Sequence, residues 1–232
     1  VQYNLKNRKP LKALSIAREL NEAIPNNPTV LKALGLAQLA SDQKSNAIVT
    51  FDQLANAAPE SPEGNYLIAK THLASNDLKQ ARKALDAAKR INPNQIPTQL
   101  SYAELEIKSK QPKKAIKTAK SLQQQFPNQS VGYILEGDIY TQQKENKKAA
   151  KAYEAGFKKA PSEQLLVKLF NANIKTGTAK SKYGLMEQWI KDHPNDTTVT
   201  LLLAGDNQVN NNNKKAISLY KDIVKKDPKN VV

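Results

Sequence analysis

Between residues 133 and 161, small and aromatic side chains recur among polar ones at helical spacing. The positions are Tyr133, Gly137, Tyr140, Ala149, Tyr153 and Pro161. Because residues three and four apart lie on one side of a helix, the first three predict one helix, and Ala149 and Tyr153 predict a second. Gly137 and Ala149 are small, which lets the two helices approach closely. Pro161 ends the second helix.

The prolines that end such helix pairs recur along the whole chain, at Pro25, Pro59, Pro93, Pro127, Pro161, Pro194 and Pro228. Their separations are 34, 34, 34, 34, 33 and 34 residues. Twelve residues before them stand Ala13, Ala47, Ala81, Ala115, Ala149 and Ala216, and only Lys182 departs from this series. Eight residues before them stand Ala17, Phe51, Leu85, Ala119, Tyr153, Met186 and Tyr220. A fixed period of this length predicts a helical repeat array.

This spacing resembles the tetratricopeptide repeat (TPR) family, whose pattern is W-x₂-L-G-x₂-Y…A-x₃-F…P. Within residues 133–161 only Glu136 departs, since it stands where the family has Leu. The resemblance covers all 232 residues. It implies an all-α fold, a TPR solenoid of antiparallel helix pairs that forms a right-handed superhelix. Because each repeat contacts only its neighbours, Ala and Leu can supply the packing, and an aromatic content of 6% is sufficient.

The proline phase also predicts the repeat boundaries. Residues 1–27 form a partial TPR that keeps its second helix, and full repeats occupy 28–61, 62–95, 96–129, 130–163, 164–196 and 197–230. Val231 and Val232 open a further repeat. Neither end carries the polar capping helix that a terminal repeat needs, and no Met begins the chain. We therefore expect an excised piece of a longer array, whose missing targeting signals carry no information.

The repeat at 164–196 is predicted to be irregular. Proline phasing puts Lys182 in the small position, whereas Ala179 and Tyr183 offer a competing register. In either register the turn around Gly177 is shortened or reset. One interpretation is ordinary sequence drift in a single repeat, and the other is a local hinge.

The residues give no support for catalysis, a cofactor or a metal site. Cysteine is absent, and His72 and His193 are the only histidines and lie far apart in the array. The sequence has neither a glycine-rich phosphate loop nor an H-E-x-x-H motif. His72 is expected to lie in the core or to be half-buried, and Trp189 is expected to be a core residue that packs against the next repeat. No run of about 20 apolar residues predicts a transmembrane segment.

Positive charge is concentrated at one repeat position. The net charge is +15, and a lysine ladder falls at equivalent places in four repeats: Lys79, Lys113, Lys114, Lys147, Lys148, Lys214 and Lys215. Equivalent helices stack roughly 10 Å apart, near the Debye length of about 8–10 Å. One interpretation is a solvated face that keeps the array soluble. The other is binding of an anionic partner, which could be acidic polysaccharide, lipid head groups or nucleic acid. Nucleic acid is the least favoured of the three, because no aromatic residues interleave for base stacking.

The TPR resemblance implies a second candidate site, a concave groove lined by first helices. Its predicted residues are Lys32, Leu36, Tyr66, Lys70, Leu100, Glu104, Ile134 and Asp138. The Lys/Asn clamp that some family members use for a peptide carboxylate is missing, because Lys32 and Lys168 lack an Asn four residues on. What remains is an apolar strip of Tyr66, Leu100 and Ile134 beside an acidic pair, Glu104 and Asp138. The alternative is that these side chains merely pack within their own repeats.

The predicted function is a non-enzymatic scaffold that binds protein or peptide segments, with self-assembly and polyanion binding as alternatives. A narrower resemblance rests on Trp189, Ile190, His193, Pro194 and Asp196 and on the run from Val199 to Ala204. This stretch is similar to TPR lipoproteins associated with PEP-CTERM protein sorting and exopolysaccharide in Gram-negative bacteria. That resemblance implies the periplasm or the outer membrane, with a lipid-bearing Cys upstream of Val1. The residues themselves leave a cytoplasmic location open.

Overall fold

A computed structural model describes residues 1–226, and Pro228, the boundary at residue 230, Val231 and Val232 lie outside this range. The first eight helices are α1 (Gln2–Lys6), α2 (Pro10–Ala23), α3 (Pro28–Ala40), α4 (Lys44–Ala57), α5 (Glu63–Ala74), α6 (Leu78–Ile91), α7 (Ile96–Lys108) and α8 (Pro112–Gln125). They are followed by α9 (Val131–Gln142), α10 (Asn146–Lys159), α11 (Glu163–Lys175), a 3₁₀ helix (Ala179–Lys182), α12 (Tyr183–Asp192), α13 (Thr197–Val209) and α14 (Asn213–Lys226). No strand occurs in residues 1–226.

The helices pack in adjacent pairs, in two compact units, Val1–Leu122 and Gln123–Val232. We call the odd-numbered helices first helices and the even-numbered ones second helices. In the unit that begins at Val1, α3 packs on α4 and α5 on α6, and the first helices α5 and α7 also contact each other. In the other unit, α9 packs on α10 and α13 on α14, with α11 in contact with α13. The all-α helix-pair architecture predicted by the period is thus confirmed.

A left-handed residue marks the turn inside every pair. These residues are Arg8, Asp42, Asn76, Lys110, Lys144, Gly177 and Asn211, with φ between 54° and 73°. Their steps of 34, 34, 34, 34, 33 and 34 residues equal those of the prolines. At Lys144 the amide donates to the Thr141 carbonyl (3.0 Å) and the following amide donates to the Tyr140 carbonyl (2.8 Å). These two bonds form a Schellman motif, which satisfies carbonyls at the end of α9.

The small residues lie where the sequence predicts close helix approach. A Cβ on Gly137 would come within 2.2 Å of the Tyr153 ring, and one on Gly35 within 2.3 Å of the Phe51 ring. Ala149 is fully buried, and Tyr153 and Phe51 are almost fully buried. Each large ring therefore lies flush against the facing backbone, which sets the separation of the two helices in a repeat.

The repeat that contains α11 and α12 differs from the others. Gly177 lies 16 residues after Pro161, whereas Lys144 lies 17 after Pro127, so the missing residue precedes the turn. After the turn, the 3₁₀ helix replaces the opening of the second helix and buries Ala179. Consequently α12 has only 10 residues, whereas α10 and α14 have 14 each.

Trp189 packs against the buried cluster that includes Val199 and Leu203 of the next repeat, as the sequence predicted, although it lies at the edge of that core. It is half-buried, and its ring lies 5.9 Å from that of Phe157 on the preceding second helix, α10. The indole Nε1–H donates to Asp196 (2.7 Å), and His193 stacks on the ring at 3.9 Å. Asp196 lies in the turn before α13. Because the indole N–H must reach Asp196, the ring remains at the edge of the core.

Candidate functional site

The predicted groove residues of the first unit lie on three successive first helices. Lys32 and Leu36 are on α3, Tyr66 and Lys70 are on α5, and Leu100 and Glu104 are on α7; all six side chains are half-buried. In each helix the two residues are four apart, so they lie on one face. Leu36 and Tyr66 also pack against the core around Phe51 and Leu54. These side chains therefore contribute to the repeat interior and remain partly accessible.

Ion pairs connect these first helices. Lys32 of α3 pairs with Glu63 of α5 at 2.5 Å, and Lys70 of α5 pairs with Glu104 of α7 at 2.8 Å. Each pair joins neighbouring repeats, and their side chains are 37–43% exposed. Exposed or half-exposed pairs contribute little to stability, about 0–1 kcal/mol each. The main effect of these ion pairs is to neutralise charged side chains along this face of the first helices.

A cavity of 220 Å³ lies at the α3 end of this face. Its lining includes Leu5 of α1, Lys32 and Leu36 of α3, and Glu63 at the start of α5. The structure thus brings two of the predicted groove residues to a concave surface.

In the second unit, Ile134 and Asp138 lie on α9 and both are half-buried. Asp138 accepts hydrogen bonds from Lys168 of α11 (2.7 Å) and from the Tyr153 hydroxyl of α10 (2.6 Å). Burial, followed by the hydrogen bond to Asp138, raises the pKa of Tyr153 above its ordinary value. The tyrosine therefore remains a neutral donor to the carboxylate.

The two carboxylates of the acidic pair are already engaged. Glu104 binds Lys70 and Asp138 binds Lys168, so neither is an unpaired acceptor for a basic partner. The sequence could not show this, because each ion pair joins residues about one repeat apart and depends on how repeats rotate against each other. The signal that could have found them is opposite charge at groove positions of adjacent repeats.

All seven residues of the lysine ladder are exposed. Two of them have acidic partners: Lys148 pairs with Glu145, and Lys215 pairs with Glu187 at 3.1 Å. Lys148 also lies 5.5 Å from the centre of the Tyr140 ring. Within residues 1–226 the other five make no ion pair.

The turn residues also locate exposed lysines that the ladder leaves out. Lys180 lies three residues past Gly177, as Lys113 does past Lys110, and it is exposed. A second row lies seven residues past the turn and consists of Lys83, Lys117 and Lys151, all exposed. Each unit therefore carries exposed lysines beyond those of the ladder.

Neither histidine lies in an arrangement suited to catalysis. His72 is 19% exposed and lies 3.4 Å from Asp77, which caps α6, and His193 stacks on Trp189. Among residues 1–226, no group of three or more His, Cys, Asp or Glu side chains could hold a metal ion. No helix in the same range is long and apolar enough to cross a membrane.

The residues of the narrower resemblance run from the end of α12 through the connecting turn into α13. Asp196 accepts the Trp189 indole N–H, and its other oxygen accepts the amides of Thr198 and Val199 at the start of α13. A cavity of 560 Å³ adjoins this turn and is lined by Trp189, His193 and Asp196 among others. Trp189 and Asp196 therefore help to fix the connection between α12 and α13.

Comparison with known proteins supports the fold of paired helices. Residues 40–122 match the family model described as "Anaphase-promoting complex, cyclosome, subunit 3". No curated protein matches the sequence.

Solved structures resemble the chain along most of its length. A tetratricopeptide repeat protein from Parabacteroides merdae has a TM-score of 0.61 and 17% identity, over 86% of this chain and 78% of its own. The Cut9–Hcn1 hetero-tetramer of the anaphase-promoting complex has a TM-score of 0.58 and 16% identity, over 97% of this chain. This chain spans only 45% of that matched chain.

TTC0263, a TPR protein of Thermus thermophilus, has a TM-score of 0.54 and 15% identity, over 77% of this chain and 98% of its own. At these identities the likeness concerns the fold. The family match and the solved neighbours together support a TPR protein, and the fold of the chain is a TPR solenoid.

Proposed function

We propose that the chain is a non-enzymatic scaffold that binds partner protein segments against its first helices. The observation that carries this proposal is the row of Leu36, Tyr66 and Leu100 on α3, α5 and α7, each half-buried on a face with compensated charge. The TPR fold is typical of interaction scaffolds without catalytic activity. A partner segment with aliphatic anchors matches this row, since burying one such side chain contributes about 1.5–3 kcal/mol.

The ion pairs assign the charged residues a different role from the apolar row. Lys70 and Glu104 form an ion pair, so a basic side chain of the partner must displace the Lys70 ammonium group to reach Glu104. This exchange adds little affinity, because such pairs contribute only about 0.2–1 kcal/mol. We expect the apolar row to set affinity, and the pairs to set orientation and partner choice.

The test is site-specific photo-crosslinking in the producing cell. A photoreactive residue at Leu100 should capture a partner, and Leu100→Asp should abolish capture by a probe placed at Tyr66. Leu11, which is 74% exposed on α2 and outside the row, is the control position for both the probe and the Asp substitution. Equal capture by probes at Leu100 and Leu11 would refute the groove as the binding site. Capture that is unchanged by Leu100→Asp in a folded variant would also refute it.

Polyanion binding is a second candidate, supported by the exposure of the basic residues on the second helices. α8 carries four lysines and no acidic residue, and α10 carries five lysines and one glutamate, all of the lysines exposed. Changing Lys113, Lys114, Lys147 and Lys148 to Glu should abolish heparin binding, which should itself weaken as salt rises. The charge-matched control changes Lys9, Lys12, Lys108 and Lys175 to Glu. Equal losses of heparin binding in both variants would show that the ladder is not a specific polyanion site.

The pathway proposal is a bacterial envelope system for exopolysaccharide or protein sorting. Its support is the similarity of Trp189–Ala204 to TPR lipoproteins of that kind. Fractionation of the producing cells tests it, since the full-length protein should be recovered with the envelope. Recovery with the cytoplasm would exclude it.

The third candidate is a module that self-assembles with other copies. Sedimentation at increasing protein concentration tests it, and a sedimentation coefficient that stays constant would exclude self-association.

A further inference from the structure

A cleft between the second helices α4 and α6 has no role in the proposed groove. Its volume is 460 Å³, and α5 forms its floor. The lining combines apolar residues (Ile48, Val49, Ile68, Ala84 and Ala87) with charged and polar ones that include Asp52, Lys83 and Arg90. A volume of about 300–1,000 Å³ with a few converging polar groups is usual for a binding pocket.

The apolar part of the cleft includes an unusually exposed side chain. Val49 on α4 is 60% exposed, although it faces the half-buried Ile68 and Ala87 across the same cleft. Its remaining surface can be buried by an aliphatic side chain that enters the cleft from outside. Burial of apolar area of this kind is the main favourable term in association.

Two cations frame the apolar part on the α6 wall. Lys83 and Arg90 are seven residues apart, two helical turns or about 10.5 Å along the axis. Both are exposed, and neither makes an ion pair within residues 1–226. Asp86 stands between them on α6, but its carboxylate accepts a hydrogen bond from the Tyr102 hydroxyl of α7 and forms no ion pair with Lys83 or Arg90. The facing wall carries Asp52, so the cleft has a basic side and an acidic side.

We propose that the α4–α6 cleft binds a short acidic helix of a partner protein. Glutamates seven residues apart on such a helix match Lys83 and Arg90, and leucines three and four residues after the first glutamate enter the cleft over Val49. Asp52 repels carboxylates from the α4 wall, which orients the helix. The lining has no Phe, Tyr or Trp for base stacking, and its imidazole, His72, is only 19% exposed and lies against Asp77. Val49 is the only exposed large apolar side chain in the lining. These features disfavour single-stranded nucleic acid and a lipid surface.

The test measures binding of a fluorescent synthetic helix with glutamates at i and i+7 and leucines at i+3 and i+4. Lys83→Glu combined with Arg90→Glu should weaken binding at least about tenfold, equivalent to about 1.4 kcal/mol. Val49→Ser should weaken it about threefold or more, because the leucine contact is lost. A peptide with lysines in place of both glutamates should not bind.

Matched variants separate a specific site from general attraction to a basic protein. Lys108→Glu with Lys120→Glu makes the same charge change at two exposed positions of the same unit, and Leu11→Ser removes another exposed apolar side chain. Both should bind the peptide within about twofold of the parent. No binding by the parent, equal losses in both charge variants, or full binding by a folded Lys83→Glu/Arg90→Glu protein would each overturn the proposal.

Discussion

Lys182 donates a hydrogen bond of 2.9 Å to Glu154 of α10, which connects the irregular repeat to the preceding second helix. The lysine side chain is only 19% exposed and that of the glutamate 39%. The hydrogen bond from Lys182 lowers the pKa of Glu154. A position that holds alanine in the other repeats therefore holds an ion pair here.

Lys182→Ala should lower the free energy of unfolding by about 0.5–1 kcal/mol at neutral pH, the range of a partly exposed pair. The folded pKa of Glu154 lies below its unfolded value, so the contribution is present above the unfolded pKa and is lost as pH falls through the folded one. Urea unfolding at pH 7 and pH 3 measures both effects. Lys180→Ala, at an exposed neighbour, is the control; a loss that is equal at both pH values would contradict the ion pair.

Gly137→Ala should destabilise the protein by about 1–3 kcal/mol, the usual cost of overpacking. The reason is that the added Cβ would meet the buried Tyr153 ring at 2.2 Å. Gly184→Ala in α12 is the matched control, because nothing lies within 4 Å of its added Cβ. This control should stabilise the helix by about 0.5–1 kcal/mol. Similar effects of both substitutions on the urea midpoint would contradict the close approach of α9 and α10.

The turns show which features a sequence can predict. Asn76 and Asn211 tolerate the left-handed conformation, and both take it in the turn of their helix pair. Lys110 and Lys144 take the same conformation, although lysine has no preference for it. At these two lysines the Schellman hydrogen bonds at the helix end require the left-handed conformation. Their turns could therefore be located only by counting from the neighbouring repeats.

The candidate site was less predictable than the fold. The period placed Tyr66, Leu100 and Ile134 at one repeat position and Leu36 four residues further along the same helix face, and the structure finds all four half-buried. It did not reveal that Lys70 would bind Glu104, since that contact depends on the rotation between α5 and α7. Nor did it find the α4–α6 cleft, because Val49 and Arg90 lie 41 residues apart and only packing brings them together.

Lys144→Gly should stabilise the protein by about 0.5–1 kcal/mol, because glycine adopts φ of 63° without the strain of a side chain. The shape of the turn is unchanged, so the stabilisation needs no new contact. Thermal unfolding measures it. Lys147→Gly replaces another exposed lysine, inside α10, and should destabilise by up to about 1 kcal/mol. A lower melting temperature for Lys144→Gly would contradict the turn geometry.

Tyr183→Phe should reduce the dependence of stability on alkaline pH. Burial, with the hydrogen bond to Asp206, raises the pKa of Tyr183 from 10.0 to about 12. The folded pKa exceeds the unfolded one, so this contribution is present below pH 10 and is lost as pH rises to about 12. At pH 7 the substitution should cost about 0.5–1.5 kcal/mol, the net value of a hydrogen bond.

Urea unfolding of the parent and Tyr183→Phe proteins from pH 8 to 12 measures this effect, and the two stabilities should converge at the alkaline end. Tyr3→Phe is the control, since the Tyr3 side chain is 75% exposed. A difference between parent and Tyr183→Phe that stays constant with pH would contradict the assignment.

The irregular repeat should exchange its amide hydrogens faster than the other interior repeats. Its second helix is shortened to 10 residues, and the 3₁₀ helix before it has poorer hydrogen-bond geometry than an α-helix. Lys182 and Glu154 supply a polar contact at this point, which is weaker than the buried packing of Ala149 in the preceding repeat. Because local opening is easiest where buried contacts are fewest, exchange should be fastest from Ala179 to Asp192 and faster still in Lys182→Ala. Mass spectrometry of peptides from α10, α12 and α14 measures it, with α10 as the internal reference. Equal protection in α10 and α12 would show that the shortened helix opens no more readily than a regular one.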